Sequence, residues 1–333
     1  MNWAAANDAE IDGRESLIVS HTDGLSSQAV NESNVHFGPS EWTMSLAIAV
    51  IWGSSFLWIA IAIDHVATPI VPLARCVFGA MALCCIPAAR RMIDRADLGR
   101  FAVTGLVWMA IPFLLFPLAE QTVNTSITGM MNGGLPIMTT VVTAVFTRTV
   151  PSNRRMLAVT IGACGIAMIS LSSLGGGAGA DPKGILLLLL ALFCYALAVN
   201  IARPIQSKYG ALPTMLWLTI FGALWSTPLG LAAIPRSHFT WAAVGSLLVL
   251  GAIGTGVAFA LYGVLLHRAG PVRGMIGIFF TPIVGLLLGV TIRDDELHPI
   301  AIVGMIVVIV GAVLTSRPEP VRKTSTSELT AAR

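Results

Sequence analysis

The chain has 333 residues, of which 55% are hydrophobic and 11% charged, with a formal net charge of +3 and a mean hydropathy of +0.81. Soluble domains carry about 25% charged residues, so this composition excludes an ordinary water-soluble fold and points to an all-α integral membrane protein. The five cysteines (Cys76, Cys84, Cys85, Cys164 and Cys194) all fall in apolar runs, without Cys-x-x-Cys or His-Glu-x-x-His spacing. They read as small packing residues rather than a disulfide framework or a metal site.

Residues 1–41 are polar and carry seven acidic residues and a single arginine, Arg14. A signal peptide needs a basic start and an apolar stretch, and this segment has neither, so it reads as a disordered cytoplasmic tail. Ten apolar stretches follow, each near the roughly 20 residues that cross the hydrocarbon. The first, 43–63, contains "IWGSSF" with Trp52, Ser54 and Ser55; the second, 70–89, encloses Arg75. Next come 101–119 with Trp108, 124–147 with Asn132, Gly133, Gly134 and Pro136, and 155–173. The series repeats with 184–202 carrying Tyr195, 213–233, 241–266 carrying Tyr262, 271–291 carrying Pro282, and 299–316. Residues 317–333 form a second cytoplasmic tail.

Basic residues sort the connections. Of the 20 Lys and Arg, one set of loops and both tails take all but four. Lys183, Arg236 and Arg293 fall in the opposite loops, and Arg75 lies within a span. That bias places both termini in the cytoplasm of a multi-pass protein of the cytoplasmic membrane. Nine spans would scramble the alternation.

An internal repeat is visible. Setting Pro136 on Pro282 brings Gly105 onto Gly251 and Phe116 onto Tyr262, with "GLVWMAIPFLLFPL" over "GAIGTGVAFALYGV". Gly162 then falls on Gly304 after a small shift, and near the start of each half Trp52 falls on Tyr195. Residues 43–173 and 184–316 become two five-helix halves. Five is odd, so the second half enters the membrane inverted, an arrangement used by secondary transporters that alternate access to a midplane site.

"WGSSF" at 52–56, Arg75 on the second span, the spans with Pro136 and Pro282, and the closing "GACGIAMIS" and "GMIVVIVGAVLTS" helices resemble the EamA-type branch of the drug/metabolite transporter superfamily. The resemblance covers about residues 43–316. It implies a ten-helix inverted-repeat fold that exports small metabolites, often amino acids, through a cavity shared by the halves. Relatives often carry a glutamate before the last helix of each half. "DDELHP" offers Asp295 or Glu296 in the second half, whereas "TRTVPSNRR" offers no acid in the first.

Arg75 is the single clear ionisable residue at span depth, and such a residue is a functional hypothesis by default. Its planar fork suits a substrate carboxylate or phosphate; the alternative is a side chain that snorkels to headgroups or caps carbonyls near Pro69 and Pro72. Asp64, Glu120, His65 and His267 fall at span ends, so no proton relay is visible. The related small multidrug exporters rely on a glutamate in the first helix, where this chain reads "AVIWGSSFLW".

The candidate cavity comprises Arg75, Trp52, Ser54, Ser55, Trp108, Asn132, Tyr195 and Tyr262, with Gly133, Gly134, Pro136 and Pro282 as kinks or hinges. Asn124, Ser126, Asn200 and Thr255 are further polar positions, and Phe113, Phe116 and Trp217 further aromatic ones. Bridging between helices competes with substrate contact for each polar residue.

The leading function is export of an amino acid or another carboxylate-bearing metabolite. Exchange of phosphorylated or nucleotide sugars is the alternative, for which one arginine is thin provision. Intramembrane enzymes need paired carboxylates, metal ligands or a placed base at span depth, and these are missing. The expected partners are a small-molecule substrate and the lipid bilayer, with no nucleic acid, no cofactor and no metal, in a monomer or homodimer.

Overall fold

A computed structural model describes residues 38–175 and 181–317, and every regular element among them is helical. The expected tails lie outside the described residues except for 38–41 and Arg317. Residues 39–41 already belong to α1 (Pro39–Gly53), because Pro39 presets the first turn and Glu41 accepts from the Gly38 N–H at 3.0 Å. The chain breaks at Ser54 and resumes as α2 (Ser55–Ile63), with both serine hydroxyls donating to the Ile51 carbonyl at 3.1 Å.

Helix α3 (Ile70–Cys84) stops short of the expected 89. Ile86, preceding Pro87, is extended as a residue before proline tends to be, and a 3-10 turn follows at Pro87–Ala89. The next run joins α4 (Leu98–Gly105), a π-helical stretch Leu106–Ala110, and α5 (Ile111–Ala119). Pro112, just past the π stretch, has no N–H to give the preceding turn. Helices α6 (Thr125–Asn132) and α7 (Leu135–Thr147) meet at a 42° bend across Gly133-Gly134, and Pro136 opens α7.

Then come α8 (Asn153–Gly175), α9 (Pro182–Tyr209) and α10 (Ala211–Ala233). Helix α11 (Trp241–Leu248) leads through a second π stretch, Val249–Val257, into α12 (Ala258–Gly274). Gly270, with φ 74°, turns the chain inside that last segment. Helices α13 (Ile276–Ile292) and α14 (Pro299–Thr315) complete the order.

Six runs among the described residues are long and apolar enough to cross a membrane: Pro39–Ile63, Arg95–Ala119, Asn153–Ser172, Pro182–Tyr209, Ala211–Arg236 and Trp241–Gly270. The bent α6–α7 pair makes a seventh if it counts as one span. The apolar helices α3, α13 and α14 have 15, 17 and 17 residues, below the roughly 20 of a straight crossing.

Helix α14 lies along α8, α10 along α3, and α13 across α6 and α1, while α9 packs on α5 and α7. The α8–α14 seam is closely approached from both sides. A Cβ on Gly165 would lie 2.6 Å from the Val308 nitrogen, one on Gly311 2.6 Å from Gly162 Cα, and one on Gly304 2.9 Å from Ile169 Cγ1. The α6–α13 crossing brings Gly129 and Gly285 together in the same way.

The two ends of the bundle are tied differently. At one, Lys208 Nζ lies 2.6 Å from both Asp94 and Asp97, the Tyr209 hydroxyl donates to Asp97 at 2.7 Å, and Trp217 Nε1 donates to the Arg91 carbonyl. At the other, Arg293 closes a two-pronged pair on Asp64 (2.6 and 3.3 Å), and the His238 N–H donates to the His65 carbonyl. These ends are called below the Lys208 end and the Arg293 end.

Candidate functional site

The second π stretch is where the predicted residues converge. π turns release backbone groups from the regular ladder and are frequent at functional sites. Gly254, inside this one, leaves its carbonyl to accept from Trp52 Nε1 at 3.1 Å. A Cβ there would come 3.4 Å from the Ser55 hydroxyl. The next residue, Thr255, is fully buried; its hydroxyl donates to the Leu250 carbonyl at 3.2 Å and accepts from Arg75 Nε at 3.1 Å. The first, second and eighth of the sequence-defined apolar stretches therefore meet at two adjacent residues.

Arg75 is 8% exposed. Its guanidinium carbon sits 4.0 Å above the centre of the Phe113 ring, a cation–π arrangement that steadies a desolvated charge. Among the described residues the Thr255 bond is its one hydrogen bond, so both terminal nitrogens keep their donors unspent. No hydrogen bond among the described residues runs from Arg75 to the carbonyls near Pro69 and Pro72.

Other aromatic rings pair off among themselves. Trp52 packs on Tyr262 at 5.3 Å and on Phe259 at 5.8 Å. Tyr195 packs on Phe116 at 5.9 Å and touches both main apolar clusters, one around Phe56, Phe116 and Leu188, the other around Phe101, Phe113 and Leu218. Trp108 lies in the first π stretch, half-buried at the edge of the second cluster.

Other expected residues stand apart. Asn132 ends α6, half-buried, with no hydrogen bond to its side chain among the described residues. A Cβ on the neighbouring Gly133 would meet Pro282 Cγ at 2.6 Å, and one on Gly134 would meet Ile166 Cδ1 at 2.7 Å. The helix break around Pro136 thus rests on the proline of α13, which itself remains continuous. Trp217, with its indole on the Arg91 carbonyl, seals a loop at the Lys208 end. Asn200 binds Thr143 and the Ala196 carbonyl, a bridge between α9 and α7. Of the cysteines, Cys76 and Cys194 are buried, whereas Cys84, Cys85 and Cys164 face outward.

The sequence reading underestimated two acids. Asp295, seen there as a loop acid, accepts from the Ser126 N–H at 2.7 Å and so caps α6, beside the Asn124 side chain, which accepts from Ile127 N. Glu120, expected at the end of a span, has both carboxylate oxygens buried and unpartnered among the described residues. Burial, reinforced by Asp295, holds its carboxyl well above the usual carboxylate range, while Arg293 and Arg75 pull the other way. The signal in the sequence is an acid directly after an apolar run, without a basic residue within one helical turn. No group of three His, Cys, Asp or Glu side chains among the described residues is placed to hold a metal.

The profile of the EamA-like transporter family matches residues 41–171 and again 182–317. The chain belongs to that family. This EamA-like transporter is 22% identical over 280 residues to the "Probable terminal-alkyne amino-acid exporter" of Streptantibioticus cattleyicolor, covering 83% of this chain and 93% of the relative. It is 21% identical over 242 residues to the "Uncharacterized transporter YdfC" of Bacillus subtilis, covering 72% and 78%. A solved crystal structure shares its fold with a TM-score of 0.58 at 13% identity, over 83% of this chain and 97% of the other. The transporter is therefore a multi-pass membrane protein whose Arg75 stacks on Phe113 and bonds Thr255 in the second π stretch.

Proposed function

We propose that this EamA-like transporter is an alternating-access carrier that exports a small carboxylate-bearing metabolite, with amino acids as the first candidates. The observation that carries the reading is Arg75: a nearly buried guanidinium, held by one nitrogen and presenting two others without protein acceptors. A carboxylate fits that fork with two parallel charge-assisted hydrogen bonds. Trp52, Tyr195 and Tyr262 supply the apolar surroundings, and Asn132 with the Gly133-Gly134 break supplies the mobile element. Ser55 lies against Gly254, and Trp108 and Ser54, which stand further from this arrangement by their contacts, remain part of the proposed wall.

The proposed architecture is ten passes in two inverted halves, residues 43–173 and 184–316, with both termini on the cytoplasmic side. In this reading the six full spans, the bent pair and the three shorter apolar helices would each make one pass. What supports two related halves is that contacts exchange under the sequence register. With Trp52 on Tyr195 and Phe116 on Tyr262, the ring pair Trp52–Tyr262 becomes Tyr195–Phe116, and both pairs are present. With Gly162 on Gly304, the Gly162–Gly311 approach becomes Gly304–Ile169, again present. The two π stretches also fall on one another when Gly105 is set on Gly251.

The test is uptake by proteoliposomes of purified full-length protein, using a panel of amino acids and organic acids. Uptake of carboxylated compounds that Arg75→Ala abolishes supports the reading. A wild-type protein that moves none of the panel, or an Arg75→Ala variant that transports as well as wild type, overturns it.

A further inference from the structure

We propose that Glu120 is a proton-binding site that faces water when the Arg293 end opens and is buried as the neutral acid when that end is closed, so that closing that end takes up a proton. The opening of that end belongs to the transport reading above; the proton site does not rest on it.

Glu120 follows α5 directly, and its two carboxylate oxygens have neither solvent nor a hydrogen-bond donor among the described residues. Burying an ionised carboxylate that way costs far more than burying the neutral acid. The groups that face it fix the direction. Asp295, from the loop after α13, is committed to the Ser126 N–H and opposes a second negative charge nearby. Arg293, from the same loop, faces Glu120 but closes its fork on Asp64 at the end of α2. Arg75 acts from α3 and is bound to Thr255. Asp181 and Lys183, at the start of the neighbouring α9, are exposed.

The Asp64–Arg293 pair is thus positioned as a switch. Parting it admits water and releases the Arg293 guanidinium toward Glu120, which favours the carboxylate and release of the proton. Re-forming it withdraws both, and Glu120 takes a proton before it is buried. The O–H bond is the single bond made and broken.

Dicyclohexylcarbodiimide tests this without a known cargo. It adds to protonated carboxyls in apolar surroundings and rearranges to a stable N-acylurea with no leaving group. In full-length wild-type protein in detergent, peptide mass spectrometry should find Glu120 labelled about tenfold more than Asp64, Asp294 or Glu296, with labelling falling as the medium is made alkaline. Glu120 left unlabelled, or labelled equally at every pH, overturns the proton site.

Discussion

Where α3 crosses the second π stretch, a Cβ on Gly79 would lie 2.8 Å from Thr255 Cγ2, and Arg75, one turn earlier, donates to the Thr255 hydroxyl. Where α10 crosses the first π stretch, a Cβ on Gly222 would lie 2.6 Å from Met109 Cβ, and one turn earlier sits Leu218, fully buried. The register that sets Trp52 on Tyr195 sets Gly79 on Gly222 and Arg75 on Leu218; the one that sets Gly105 on Gly251 sets Met109 on Thr255. The crossings share a geometry, glycine against a π turn, and differ in chemistry. One carries a charged fork with a hydroxyl to hold it; the other is sealed by apolar side chains. Packing symmetry and chemical asymmetry thus occupy the same pair of positions.

The sharpest way to break the comparison is Arg75→Leu, which gives the first crossing the residue of the second. The helices have room for leucine in both places, so we expect a folded protein by detergent gel filtration. Transport of carboxylated cargo in proteoliposomes should fall about ten- to a hundredfold, as expected for losing charge-assisted hydrogen bonds of about 1.5–3 kcal/mol. The glycines sharpen the other side of the comparison. Gly79→Ala and Gly222→Ala both force a methyl into occupied space and should each destabilise by about 1–3 kcal/mol in thermal melts. Gly79→Ala alone should also weaken substrate binding, because it displaces Thr255.

Thr255→Val removes the acceptor from Arg75 Nε and should cost about 1–3 kcal/mol, whereas Met109→Leu at the matching position should cost under about 1.5 kcal/mol. Paired denaturation curves check the contrast. The smallest effect is expected at the Lys208 end. There the hydrogen bond from Lys208, and then that from Tyr209, holds the Asp94 carboxyl below the usual range. The folded state binds that proton less readily than the unfolded one, so the contribution is present above the ordinary carboxylate range and fades as the pH drops through it. Lys208→Met should flatten the acid limb of the stability–pH profile slightly, because these groups are exposed.

What the sequence made legible follows from what is local. Apolar length, the sidedness of Lys and Arg, and the placing of Gly and Pro are written along the chain; the repeat register relates the Trp52–Tyr262 and Phe116–Tyr195 ring pairs to each other but does not say that either pair touches. The acids were not legible in this way. Asp64 and Glu120 both sit at the ends of apolar runs, yet Asp64 meets Arg293 from the other half while Glu120 is enclosed without a donor among the described residues. That difference depends on which loop folds over which helix end. Asp295 likewise caps a helix 169 positions away in the chain. The π stretches were equally hidden, since Gly251, Gly254 and Gly256 permit the slip without dictating it.

The central claim, that the two halves are inverted copies, is tested most directly by loops that correspond between them. Residues 85–97 and 234–240 follow α3 and α10 respectively. Single cysteines placed at Arg91 and Arg236 in a cysteine-free background, probed in intact cells with a membrane-impermeant maleimide, should label from opposite faces, with only Arg236→Cys reacting. Reaction of both, or of neither before the membrane is opened, would put the matching loops on one face and contradict the inverted arrangement.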